Sequence, residues 1–412
     1  MWEKALNLIL RRLLREGKLE VRYPIGQICL YGDGTGNPVR VHVHDMATLR
    51  RLVANPELGL VEAYMNATLT IGQDDLQEFL GLVVHNRGGA SRVFWQRLMQ
   101  RTRLTLPRFS QHNAVLRSRR NVIHHYDLSD KLYELFLDAD RQYLCGYFRN
   151  PDDTLEQAQE SKQHYIAHKL CIEKGMRVLD IGCGWGGMAR DYGAQVLGIT
   201  LSEQQLTYAI EATRRENLSD RVRFQLCDYR NVTGTFDRIV FVGMLENVGL
   251  PNFIRYFQSV HDRLAPDGIA LVHTIGWTGP PDATNPWIAK YIFPRGYVPT
   301  MSEVMKSVEY AHIWPADVEV WRLHYAETLR NWFDRFTANE DRVRDFYDPR
   351  FVRMWRFYLA ACEQTFRYGP QAVFQFQLSR RIDAVPITRH YLYSGAPDAD
   401  TLQVLRPRQK RA

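Results

Sequence analysis

The 412-residue chain is predicted to form a doubly wound α/β domain preceded by a small α+β domain. Three observations carry that expectation. Five short runs rich in Val, Ile and Leu lie between Met176 and Gly276: "MRVLDIG", "QVLGITL", "VRFQLCD", "FDRIVFVGM" and "GIALVHTIG". Helical patterns lie between the first four, and a helix, "LPNFIRYFQSVHDRLAPDG", precedes the fifth, which implies parallel strands with helical crossovers. A glycine-rich stretch, "GCGWGG" from Gly182 to Gly187, follows the first run and opens the helical pattern "WGGMARDY".

The elements follow in order. From Trp2 to about Leu19, Ala5, Leu6, Ile9, Leu10, Leu13 and Leu14 share one helical stripe. The pieces "LEVRYP", "QICLYG" and "VRVHVHD" read as strands, the last two separated by a turn at "GDGTGNP". The stretch "MATLRRLVANPELGLVEAYMNATLTI" is helical in pattern, as is "DDLQEFLGLVVHN". These pieces define a first domain over residues 1–85. Residues 86–122 form a basic linker or docking segment, and residues 123–381 the α/β domain. After Gly276 that domain reads as helical and aromatic-rich up to Ser379. Residues 382–412 are an extension ending in basic residues.

Composition narrows the function. A net charge of +7 invites an anionic partner: nucleic acid, a membrane surface or an acidic substrate. From Asn86 to His125 there are nine arginines and no acidic residue. That segment is either a solvated linker or a phosphate-facing surface, since arginines interleaved with Phe94, Trp95 and Leu98 suit a lipid–water interface. No nucleic-acid-binding module accompanies it, so nucleic acid is set aside. The six cysteines are scattered without a CxxC pair, as in a reduced, cytosolic chain. The N-terminus lacks the pattern of a secretory signal, and no run of about 18 apolar residues exists to span a bilayer. No metal is expected. His42, His44 and Asp45 alternate as in a strand, without a further ligand cluster.

The glycine stretch formally satisfies the dinucleotide fingerprint, so its ligand has to be argued. A dinucleotide site wants a carboxylate at the tip of the second strand to hold the ribose. Here that strand ends in Thr200-Leu201-Ser202, and Glu203 already lies beyond the tip. Instead, Asp180 precedes the glycines. A carboxylate there repels a pyrophosphate and suits a cationic ligand. S-adenosylmethionine carries a sulfonium and an ammonium and no phosphate, and "CDYR" at the end of the third strand also favours it.

Seven motifs occur in this order between His125 and Thr300, "HYDLSDKLYELFLD", "QYLCGYF", "VLDIGCGWGG", "GITLSEQQ", "DRIVFVGMLENVG", "LVHTIG" and "PWIAKYIFPRGYVPT", within a resemblance that covers about Asn121 to Arg380. Together they resemble the cyclopropane-fatty-acyl-phospholipid synthases and the related mycolic acid methyltransferases. The first 85 or so residues resemble the small N-terminal domain of the phospholipid-acting branch. The resemblance implies a class I S-adenosylmethionine-dependent methyltransferase fold with a helical insertion for the acyl chain. It implies methylene transfer to the double bond of an unsaturated phospholipid acyl chain, with a bound bicarbonate taking the proton from a carbocation. By motif it places Cys145, Glu246, His273, the Ile275 backbone and Tyr325 at the bicarbonate. Tyr143, Gly182, Gly184, Trp185, Thr200, Leu201, Ser202, Gln205, Asp228 and Tyr229 fall to the cofactor, with Asp180 acting through intervening contacts. The implied setting is cytoplasmic, peripheral to an anionic membrane surface. A homodimer is entertained.

Two departures stand out. Asn247 follows Glu246 where many relatives have His, and Asn does not titrate near neutral pH. Leu144 stands where relatives commonly have Ser. The alternative expectation is therefore a methyltransferase of the same family that leaves a methyl or methylene branch without closing the ring.

Overall fold

The structure, a computed structural model, describes residues 1–89, 130–187, 193–294 and 296–392. Most of the arginine-rich segment, the continuation of "WGGMARDY" past Gly187 and the end of the C-terminal extension lie outside the described residues.

Two compact units divide the chain. The first comprises Met1–Pro107, Asp282–Gly296 and Leu329–Gln371; the second comprises Arg108–Pro281, Tyr297–Thr328 and Ala372–Ala412. In the first unit, α1 (Trp2–Leu13), α2 (Met46–Ala54), α3 (Pro56–Met65) and α4 (Leu76–Gly89) accompany a four-stranded sheet. Its strands are β1 (Leu19–Arg22), β2 (Ile28–Tyr31), β3 (Val39–Val43) and β4 (Leu69–Ile71), in the order β2-β1-β3-β4. The helix Pro349–Tyr368 packs against α3 and α4. Gln77 Nε2 donates to Glu363 at 2.7 Å, and Arg356 pairs with Asp74.

The second unit holds the doubly wound sheet that the apolar runs predicted. Its strands are β5 (Arg177–Ile181), β6 (Gln195–Thr200), β7 (Val222–Leu226), β8 (Phe236–Val242), β9 (Leu264–Trp277), β10 (Trp314–Trp321) and β11 (Gln371–Ser379). They lie in the order β10-β11-β9-β8-β5-β6-β7. The pairs β5–β6, β5–β8, β6–β7 and β8–β9 are parallel. Alternation along each strand fills a core on either face. Leu179, Phe241, Val272 and Phe374 pack with Tyr256 and Phe257, whereas Val240, Val242 and Leu271 pack with Ile166 and Leu170. The strand order reverses at β5, whose neighbours are β6 and β8, so the carboxyl ends of these strands open the crevice where such sheets bind ligands.

Four expectations need correction. The first helix stops at Leu13 rather than about Leu19. The run Met46–Ile71 is not helical throughout: Ala67 takes a positive φ of 56°, and Leu69–Ile71 becomes β4 with Leu69 and Ile71 buried. Only a single 3₁₀ turn, Tyr229–Asn231, joins β7 to β8 where a helical pattern was read. The region after Gly276 is not wholly helical, because β10 and β11 pair antiparallel and complete the sheet.

Candidate active site

The site lies in the second unit and starts from the turn after β5. Gly182, Gly184 and Gly186 all have positive φ, which glycine adopts without a Cβ penalty. Gly182 and Cys183 donate their N–H groups to the Ile199 carbonyl at 2.9 and 3.1 Å, which fastens the turn across to β6. A Cβ on Gly182 would meet Met244 Cγ at 2.5 Å, whereas one on Gly184 would meet nothing within 4 Å and enter open space.

A cleft opens at the ends of β5, β6 and β8. Of the residues expected at the cofactor, Gly182, Thr200, Leu201, Asp228 and Tyr229 line it. Ser202 and Gln205 stand behind the wall. Ser202 caps α7 (Glu203–Arg215) by accepting from Gln205 N–H, and the Thr200 hydroxyl donates to Gln205 Oε1 at 2.9 Å. Tyr143 and Trp185 both pack edge-on against Tyr133, with ring centroids 5.2 and 5.6 Å away. Asp180 does not line the cleft; it is buried with one oxygen unpartnered, and burial pushes its pKa up to about 7.

Other lining residues, Arg230, Met244 and Asn247 among them, were not foreseen as cofactor contacts. Arg230 grips the Asp228 carboxylate at 2.7 and 2.6 Å, and Met244 sits beneath Gly182. Asn247, noted only as a departure, also faces the cleft. The available signal for Arg230 was its place two residues after Asp228 in "CDYRN".

Next to the cleft, α8 (Leu245–Val248) carries Glu246, a half-buried residue whose Oε2 is shielded from solvent. Its Oε1 accepts the Ile275 N–H at 2.6 Å, while Oε2 has no partner. Burial raises this carboxyl's pKa. Two residues before Ile275 on the same face of β9, His273 is buried; its Nδ1 accepts from Gln375 Nε2 at 3.0 Å, and its ring stands edge-on to Trp321. Burial holds the imidazole pKa far below its usual value, so the ring is neutral and carries its proton on Nε2.

Glu246, Ile275 and His273 are thus one group. Cys145 and Tyr325 lie on flanking segments that meet His273 through Trp321, whose ring also packs against Tyr147 and His324. Gly146 N–H donates to Thr328 Oγ1 at 2.9 Å, one turn after Tyr325 on α11 (His324–Ala338). Cys145 Sγ donates to the Gly146 carbonyl at 3.3 Å, and burial raises the thiol's pKa, leaving it protonated. The Ile275 N–H, expected at the anion, is spent on Glu246.

A doubly wound sheet with a glycine turn, no ribose carboxylate and an acidic residue before the glycines defines a class I S-adenosylmethionine-dependent methyltransferase. The family of mycolic acid cyclopropane synthetases matches residues 114–376, and a domain of unknown function matches residues 6–92. The chain is 37% identical over 350 residues to the cyclopropane-fatty-acyl-phospholipid synthase of Escherichia coli, covering 84% of this chain and 89% of that one. It is 32% identical over 402 residues to a tuberculostearic acid methyltransferase of Mycobacterium tuberculosis, covering 91% and 90% respectively. Among solved structures, a mycolic acid cyclopropane synthase in complex with SAH and CTAB superposes with a TM-score of 0.60 at 30% identity, over 63% of this chain and 98% of that one. The chain belongs to the mycolic acid cyclopropane synthetase family.

Proposed function

We propose that the chain adds a methylene group from S-adenosylmethionine across the double bond of an unsaturated phospholipid acyl chain, closing a cyclopropane ring with bicarbonate as the base. The observation that carries this reading is Glu246. It is a half-buried residue whose Oε2 is shielded from solvent and without a hydrogen-bond partner, and the next residue lines the cofactor cleft. The relationship to the E. coli enzyme, which extends over most of both chains, supports the phospholipid acyl chain as substrate.

When bound, S-adenosylmethionine supplies an electrophilic methyl group and bicarbonate a base for the proton lost on ring closure. The open space at Gly184 and the cleft between Thr200 and Asp228 fit the cofactor. With Oε1 taken by the Ile275 N–H and burial pushing its pKa upward, Glu246 has Oε2 left to share a proton with the anion. His273 presents Nε2–H and Tyr325 a hydroxyl, while Cys145 keeps its thiol proton on the Gly146 carbonyl. Neutral donors of this kind hold an oxyanion without competing for the proton it has to accept. The burial of Cys145, His273 and Tyr325 keeps water from a reactive cation.

A second reading, methylation without ring closure, is favoured by Asn247 at the cleft and by the tuberculostearic acid methyltransferase relationship. In either case the bilayer is met peripherally, at the inner face of the cytoplasmic membrane, through the arginine-rich segment. No helix among the described residues is long and apolar enough to cross a membrane.

Incubation with unsaturated phospholipid vesicles and S-adenosylmethionine, followed by mass analysis of the acyl chains, tests the proposal. The expected product is one CH₂ heavier and has lost its double bond. A heavier chain that still hydrogenates as an alkene establishes the second reading, and unchanged lipid refutes both.

A further inference from the structure

Two lysines of α6 (Leu155–Lys169) are completely buried, Lys162 and Lys169. Lys169 is neutralised by Glu319, 2.5 Å away, with Asp317 at 3.9 Å. Lys162 has no carboxylate within ion-pair distance among the described residues. Its ammonium donates to two neutral oxygens, Gln142 Oε1 at 2.8 Å and Gln159 Oε1 at 2.7 Å. An ammonium has three donors, so one is left over. A buried charge without a counter-charge is strongly unfavourable, and such groups normally sit against an anion.

The surroundings point to where that anion belongs. Gln159 Nε2 donates to the Gln142 and Leu144 carbonyls at 3.2 and 2.8 Å, so α6 fixes the segment that presents Tyr143 and Cys145. Asp138 exerts the strongest carboxylate field on Lys162, yet its oxygens already accept the Gln142 and Asp140 N–H groups at 2.9 and 3.0 Å. The lysine's own field reaches the active site. Burial raises the Cys145 thiol and lowers the His273 imidazole; Lys162 opposes the first shift and adds to the second. Cys145 and His273 are neutral, and Glu246 is driven toward its neutral form. Hydrogen-bond donors without a nearby cation would leave an oxyanion's charge uncompensated.

We propose that Lys162 is the positioning cation of the anion pocket: through Gln142 and Gln159 it holds the segment bearing Cys145, and its ammonium supplies the charge against which an oxyanion binds beside Cys145 and His273. The proposal rests on the bicarbonate reading given above.

The test titrates ¹³C-bicarbonate into S-adenosylhomocysteine-loaded protein, followed by carbon NMR, alongside turnover at varied bicarbonate. Lys162→Met should weaken bicarbonate binding at least about tenfold, with S-adenosylhomocysteine affinity within about twofold of wild type. Gln142→Glu covers the case in which that variant fails to fold. It keeps the lysine and the local shape but sets a negative oxygen on the ammonium, and should weaken bicarbonate equally. Wild-type bicarbonate affinity in whichever variants fold overturns the assignment and leaves the bicarbonate reading standing. A wild-type protein that neither binds nor responds to bicarbonate overturns both.

Discussion

Glu246 shows how little chemistry a residue needs to share with its ordinary form. Burial pushes its carboxyl pKa upward against the opposing Ile275 N–H, and its shielded Oε2 is left without a partner. Glu246→Gln keeps the shape but not the exchangeable acid, so product formation should fall by about 10² or more, while cofactor affinity by calorimetry stays within about twofold. Asn247→His restores the pair common among relatives and should keep turnover or raise the ring-closed fraction of product, read by double-bond analysis. Asp180 predicts a pH dependence. Its folded pKa of about 7 lies above the ordinary 3.8, so its contribution to stability is fully present below the lower value and is lost as pH rises through the upper one. In ligand-free protein, Asp180→Asn should remove that decline, worth up to about 4 kcal/mol, and raise the thermal midpoint near pH 8. The residues hardest to foresee are those whose role depends on distant neighbours. Lys162 sits in "QAQESKQHY", a polar run that reads as solvated, yet Gln159, Lys162 and Gln163 are all buried. Arg230 has no periodicity to announce it.

At the scale of elements, the parallel strands were legible because β5, β6 and β8 are short runs rich in Val, Ile and Leu, with consecutive residues buried on both faces. The pair β10–β11 was not. β11 carries Gln375 and Gln377 in full burial, their Nε2 groups donating to His273 and the Lys169 carbonyl, so its polar positions disguised an interior strand among helices. Close packing here leaves no slack: a Cβ on Gly276 would lie 2.0 Å from the Phe374 ring. The glycine turn was legible for the opposite reason, since its backbone demands few residue types. Gly184→Val tests it. The substitution strains a φ of +54° and fills open space rather than protein, so S-adenosylmethionine binding should be lost while the sheet persists by circular dichroism.

At the scale of the whole molecule, the proposed bilayer contact is electrostatic. Arg97, Arg101 and Arg103, with Trp95, should draw the enzyme to anionic vesicles, each arginine contributing about 1 kcal/mol near the surface. Sedimentation with vesicles should weaken as salt rises; binding indifferent to salt and lipid charge would remove this segment from the account. The first unit has a different consequence, one of timing. Gln77 and Glu363 bond across 286 positions, and α4 rests on a helix that ends at Tyr368. On the ribosome the N-terminal sheet emerges long before the helix that covers α4. The second unit's parallel strands must be threaded out in the interval, so the nascent chain carries an uncovered apolar surface for most of its synthesis. Fragments ending at the linker should therefore expose the faces of α3 and α4 and aggregate, which makes the order of translation itself a constraint on how this chain reaches its fold.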